Sequence, residues 1–391
     1  MLEKLSQVLH KVREGQIALS EFLYNESTDK EGKLFDVNAV KRYRLLVALQ
    51  YDLQSKDEQL IKELLAAEIQ MHRKAFHDMA PSLSLNAYLL SQFRKPEYAL
   101  LFLKAKQANY ETNCSLDFQY LVSAGIKNTY EFLEGMDSPE IENFYSYMGD
   151  TAETCFLSEV ELEEWRREQK DYFSKKYSGN SFKAEIQLAL ELDDKEVAVE
   201  KVNEWQNFQE VWGVAELKEL NYYRVLLEDY QGQVWANEEL LKQMVEDSDK
   251  VYTLQFLSSL YLKLNDPINA WEKIKQSLIH LQELPEDTNT KRFLVENAFD
   301  VVLQINNASD VIAQEAYSWV TSSINTMHSI HHNLLKKIAE AGKLMNDTEV
   351  RNKYKSRLKE EQIKLDSILY QAELLKKENL NDTMDLWEMD L

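Results

Sequence analysis

Glycine and proline are scarce, at nine and five residues among 391. Sheets need such turn formers at short intervals, so their scarcity excludes most β architectures and predicts long helices joined by short polar turns. Cysteine is scarcer still. Cys114 and Cys155 are too few for a disulfide framework or a cysteine metal site. Cys114 has no neighbouring histidine to draw off its proton, so a buried structural thiol is expected there. No run of eighteen apolar residues occurs, which argues against a membrane-spanning helix. The opening stretch MLEKLSQVLHKVREGQIALSEFLY mixes charged with apolar residues and lacks the apolar core of an export signal. A cytoplasmic protein is the expectation. Glycine-rich phosphate loops are missing too, since Gly213 and Gly232 stand alone.

Metal and catalytic constellations are equally thin. In MHSIHH, His328 and His332 share a helical face, but no third ligand stands nearby. His77–Asp78, with His72 upstream, lacks the further ligands a metal-dependent phosphohydrolase needs. Paired acids such as Glu163–Glu164, Asp193–Asp194 and Glu238–Glu239 read as solvated helix faces. No enzyme activity, metal or cofactor is therefore expected.

What the chain does have is helix formers and acid. Apolar residues make up 44% of it, enough for a substantial core, and the net charge is −22. The charge is uneven. Residues 131–290 hold 35 acidic against 15 basic residues, which is −20 of the total, while the flanks are close to balanced. Such a field repels nucleic acid and anionic membrane and favours a basic protein partner.

Apolar spacing predicts helices over about residues 1–24 and 38–54 and a third around Leu60–Ile69. Asn25 to Lys33 reads as a polar loop between the first two. Together these make a helical N-terminal unit over 1–80. Helix pairs follow over 81–327, with an irregular junction near 135–180 around Pro139 and Gly149. A hairpin over 116–134 would have Gly125 ending its first helix. The stretches FRKPEYALLFL (93–103) and LNDPINAWEKI (264–274) share a proline followed three residues later by alanine. Proline suits a first helical turn, where its missing N–H would be unpaired anyway. Ala99, Ala198 and Ala270 are 99 and 72 residues apart, which fits a hairpin repeat of roughly 34 residues. Asp193 or Asp194 is the cap expected before Ala198. The remainder, 328–391, reads as C-terminal helices, the longest over Thr348–Asn379, ending in an acidic tail with Trp387. Tryptophans recur about once per helix pair (Trp205, Trp212, Trp235, Trp271, Trp319) and are expected between helices.

Residues 251–284 resemble the tetratricopeptide repeat. Leu254 and Leu257 fill its large first-helix positions, Ser258 its small one and Tyr261 its aromatic one; Ala270 and Ile274 fill the second helix's small and large positions. Ser277 replaces the usual alanine, and the closing proline comes late, at Pro285. The segment from Ala80 matches in part: Ala87 and Ala99 fit, with Leu90 at the aromatic position. The resemblance implies an irregular array of stacked helical hairpins with a concave groove lined by first helices. It assigns Ser84, Tyr88, Ser91 and Gln92 in one unit, and Tyr252, Gln255, Ser259 and Lys263 in another, to contact with a protein or peptide. The expected function is a non-enzymatic, acidic protein-binding module. A bacterial immunity protein neutralising a basic toxin and a peptide-sensing regulator are the alternatives.

Overall fold

The computed structural model describes residues 2–74, 79–134, 136, 138–176, 181–281, 288–325, 327, 330–364, 367 and 371. Among them the structure is helical apart from one short hairpin, so the fold is all-α. That hairpin, β1 (Glu26–Thr28) against β2 (Leu34–Asp36), forms where a plain polar loop was expected. The Asp29 carboxylate builds its turn by accepting from the amides of Glu31 and Lys33 at 2.9 and 2.8 Å. No helix among the described residues is long and apolar enough to cross a membrane.

Contacts divide the chain into two units, Met1–Phe208 and Gln209–Leu391. This division falls at neither expected boundary, 80 or 327. One apolar core runs from Leu5 to Leu192, so the first eighty residues share their packing with later helices as far as Leu192 and do not stand apart.

In the first unit, α1 (Leu2–Arg13) is shorter than the helix expected over 1–24, because Gly15 at φ 70° turns the chain. Arg13 then clamps Asp57 from two nitrogens, at 2.9 and 2.5 Å. Next come α2 (Ala39–Tyr51) and α3 (Glu58–Lys74), close to their expected bounds. Helix α2 buries six of its apolar residues in the run Tyr43–Leu49 because α1 and the later α4 (Pro81–Ser91) both lean on it. After α4, Pro96 opens a single 3-10 turn before α5 (Ala99–Lys106), as its missing N–H favours. A short α6 (Tyr110–Ser115) carries Cys114 on its outer side. Cys114 is exposed, not the buried thiol expected, and Cys155 is half-buried. Of the hairpin expected over 116–134, only α7 (Ile126–Leu133) is an α-helix. Its first half is a 3-10 turn, Phe118–Val122, and Gly125 at φ 106° stands at the start of α7. The unit closes with α8 (Pro139–Met148), α9 (Glu159–Lys176), α10 (Phe182–Glu191) and α11 (Lys195–Phe208).

The second unit is built from hairpins: α12 (Val214–Leu226) with α13 (Tyr230–Gln243), α14 (Asp247–Lys263) with α15 (Pro267–Leu281), and α16 (Thr288–Ile305) with α17 (Val311–Ile324). Then comes α18 (His332–Leu344), followed by helical residues 348–364. First helices also meet one another, α14 with α16 and α16 with α18. The rest of the expected long C-terminal helix, apart from Ser367 and Gln371, lies outside the described residues, as do the acidic tail, His77, Asp78 and His328.

One turn explains how so little glycine suffices. Asp193, Glu228, Asn265 and Asn346 have φ of 51°, 56°, 56° and 58°, the left-handed conformation that glycine normally supplies. The aspartate after each serves both helices. The amides of Asp194, Asp229, Asp266 and Asp347 reach back to the carbonyls of Ala189, Arg224, Tyr261 and Gly342 at 2.8–2.9 Å. Their carboxylates accept from Val197, Gly232, Asn269 and Val350, at the start of the next helix. Each aspartate therefore closes one helix and opens another. Ala198 and Ala270 stand four residues past their aspartates, fully buried at the helix crossing. Ala99, also buried, follows a different turn at Arg94. A left-handed glutamate is strained by about 1 kcal/mol relative to glycine. Glu228→Gly is therefore expected to raise stability by up to about 1 kcal/mol. Asp229→Ala should lower it by about 1–2 kcal/mol, since the carboxylate also holds Arg224 at 2.6 Å. Urea denaturation of both variants checks the opposite signs.

Candidate functional site

The stretch expected as an irregular junction builds a cavity of about 530 Å³ in the first unit. Its frame follows from local chemistry. Ser138 caps α8, accepting from the Glu140 amide, with Pro139 at the first helical position. Gly149 ends α8 at φ 97°, and Ser158 with Glu161 forms a reciprocal cap on α9. The loop between is pinned by Thr151 and Thr154, whose hydroxyls and amides bond each other.

Three bonds tie α7 to this frame. Tyr130 donates its hydroxyl to the carbonyls of Met148 and Gly149, at 3.1 and 2.7 Å. Burial pushes its phenol up, so it stays a donor. The Glu159 carboxylate accepts from the Ile126 amide at 2.8 Å, satisfying an orphan donor at the start of α7.

The walls pair carboxylates with aromatic faces. Among the described residues, Glu131, Glu134, Asp150, Glu153 and Glu159 line the cavity, against one cation, Lys127. Lys127 lies 3.6 Å from Glu131. Glu153 is held below the usual carboxylate range by its own backbone amide and the Thr151 hydroxyl. Glu134 and Asp150 have no cation within ion-pair distance among the described residues. Tyr145 stacks on Tyr130 with ring centroids 6.0 Å apart, and Phe144 meets Tyr130 edge-on. Carboxylates beside tyrosine rings suit a guanidinium or ammonium, which gains both ion pairing and contact with the π-face.

The groove residues assigned by resemblance divide into two kinds. On α4, Tyr88 is buried and stacks on Phe173 of α9 at 4.4 Å, and Ser91 is buried with its hydroxyl on the Tyr88 carbonyl. Neither offers a contact surface, and Phe173 of α9 is what covers the Tyr88 ring. Ser84 is half-buried and Gln92 exposed. On α14, Asn297 of α16 donates to the Gln255 carbonyl at 3.3 Å and to the hydroxyls of Ser258 and Ser259 at 2.7 and 2.8 Å. Gln255 and Ser259 thus join one first helix to the next. Lys263 lies over the Tyr230 ring at 4.7 Å, and Tyr252 is 68% exposed.

The cavity residues themselves were not among the expected contacts. Their signal was the pairing of Pro139 and Gly149 around an acidic, tyrosine-rich helix. Of the tryptophans expected between helices, Trp205 and Trp271 are buried, and Trp212, Trp235 and Trp319 are half-buried. No family model matches the chain, and no curated protein or solved structure is similar to it.

Proposed function

We propose that the chain is a non-enzymatic binding protein, related in plan to tetratricopeptide arrays, that takes a basic segment of a protein partner into the acidic cavity. The observation carrying this reading is the cavity's charge: five carboxylates against one lysine, with Glu134 and Asp150 lacking a cation among the described residues, beside Tyr130 and Tyr145. An arginine side chain would ion-pair with these two carboxylates and lie against a tyrosine ring. The concentration of charge in 131–290 supports it, since a field of one sign raises the encounter rate with a basic partner. The array reading rests on the successive hairpins of the second unit and on Ser258, Ala270 and Ile274, all fully buried at the positions named by resemblance.

A narrower reading makes the partner a basic toxin and the protein its bacterial immunity factor. The acidic surplus favours it, because the active sites of enzymes that cut nucleic acid are basic. Titrating the chain with an arginine-rich peptide tests the common ground. Glu134→Gln with Asp150→Asn is expected to weaken binding about tenfold or more, from the loss of two charge-assisted contacts. Unchanged affinity in that double variant would remove the cavity from the account.

A further inference from the structure

A second cavity in the first unit, of about 280 Å³, has the opposite character. Its apolar lining comes from Leu5 and Val8 of α1, from Ile17 and Phe22 ahead of the sheet, and from Leu192. Three cations line it too: Lys4 of α1 with Lys41 and Arg44 of α2. In a chain of net charge −22, none of the three has a carboxylate within ion-pair distance among the described residues. Among the described residues the Arg44 guanidinium meets only carbonyl oxygens, Leu192 at 3.0 and 2.7 Å and Asp193 at 3.3 Å. Its Nη1 makes no hydrogen bond among the described residues. Two acids share the lining. Asp194 is committed to the first turn of α11 through the Val197 amide at 3.3 Å, and Glu21 is exposed.

We propose that this cavity binds a small amphipathic carboxylate, a straight acyl chain of about eight carbons. Its tail lies against Leu5, Val8 and Phe22, and its carboxylate meets Lys41 and Arg44. The size follows from the volume, at roughly 30 Å³ for each water-sized group. The charge follows from cations that the protein itself leaves unmatched. A carboxylate would give the guanidinium the charged acceptor that the Leu192 and Asp193 carbonyls only approximate. The site is independent of the acidic cavity and of any protein partner.

Calorimetric titration of the full chain with octanoate, octylamine and octanol, each below its micelle concentration, tests the proposal. Octanoate is expected to bind at one site per chain, and octylamine and octanol about tenfold more weakly or worse. Lys4→Met with Lys41→Met should lower octanoate affinity about tenfold, since both lysines are exposed and hold no side-chain hydrogen bond or ion pair among the described residues. Val8→Trp, which fills the cavity, should abolish binding. Circular dichroism confirms that each variant is folded. If Val8→Trp fails to fold, the lysine variant carries the test alone. Octylamine or octanol binding as well as octanoate, an unchanged affinity in the lysine variant, no octanoate heat, or tighter binding of an apolar peptide C-terminus would each overturn it.

Discussion

Arg42→Ala is expected to destabilise the first unit by about 3–5 kcal/mol, the range for one partner lost from a buried ion pair. Arg42 is fully buried, and its guanidinium joins four segments. It meets Asp36 of β2 at 2.8 Å, Glu68 of α3 at 2.5 Å and the Phe22 carbonyl at 3.1 Å, from its own place on α2. Glu68 in turn accepts from Ser82 of α4 at 2.9 Å. His72 completes the network: it donates Nδ1–H to the Glu68 carbonyl at 2.8 Å and accepts the Ala80 amide on Nε2 at 3.0 Å. Those two bonds assign it the neutral tautomer. The intact network is close to neutral against an apolar replacement. Removing the cation alone is not neutral, because two carboxylates remain buried without a counter-charge. Arg42→Lys should be no rescue, as an ammonium cannot fork to two carboxylates and a carbonyl at once. Urea denaturation followed by circular dichroism measures the loss. A change below about 1 kcal/mol would mean that water reaches the network.

Gly149→Ala is the second large effect, about 2–4 kcal/mol from backbone strain and overpacking together. A Cβ there would stand 2.5 Å from the Thr154 carbonyl oxygen and 2.9 Å from its carbon, both backbone atoms that no rotamer change can move aside. The φ of 97° adds strain of its own. The Gly149 carbonyl also accepts from Tyr130, so relieving the clash pulls on the bond that ties α7 to α8. Gly15 and Gly32 are the controls. Both have positive φ, but nothing lies within 4 Å of an added Cβ, so alanine there is expected to cost only about 1–2 kcal/mol of strain. A thermal melt ranks the three. Gly149→Ala should also weaken binding of a basic peptide under conditions where the chain remains folded, because the 150–158 loop forms one wall of the acidic cavity.

The helices were legible because their signals are local. Pro267 and Pro139 open helices where proline's fixed φ suits the first turn, and α2 and α3 followed from apolar spacing. The Asp194 turn was half legible. An aspartate pair marked a cap, but which one caps depends on Asp193 taking the left-handed conformation, and sequence spacing does not encode that choice. The binding face was the least legible. Tyr88 reads as a surface aromatic on α4 alone, and only the approach of α9, far along the chain, buries it against Phe173. Gln255 and Ser259 likewise read as a free polar face until Asn297 engages them. The acidic cavity escaped for a related reason. Its carboxylates are spread from Glu131 to Glu159 and are brought together by the Tyr130 and Glu159 bonds, not by any helical period.

The affinity of the chain for an arginine-rich peptide, followed as ionic strength rises from about 0.01 M to about 1 M, tests the central claim most directly, since the screening length falls from about 30 Å to about 3 Å over that range. The acidic cavity predicts binding that weakens steeply with salt in the native chain and shallowly in Glu134→Gln with Asp150→Asn. Affinity that ignores salt, or equal slopes in the two proteins, would contradict it.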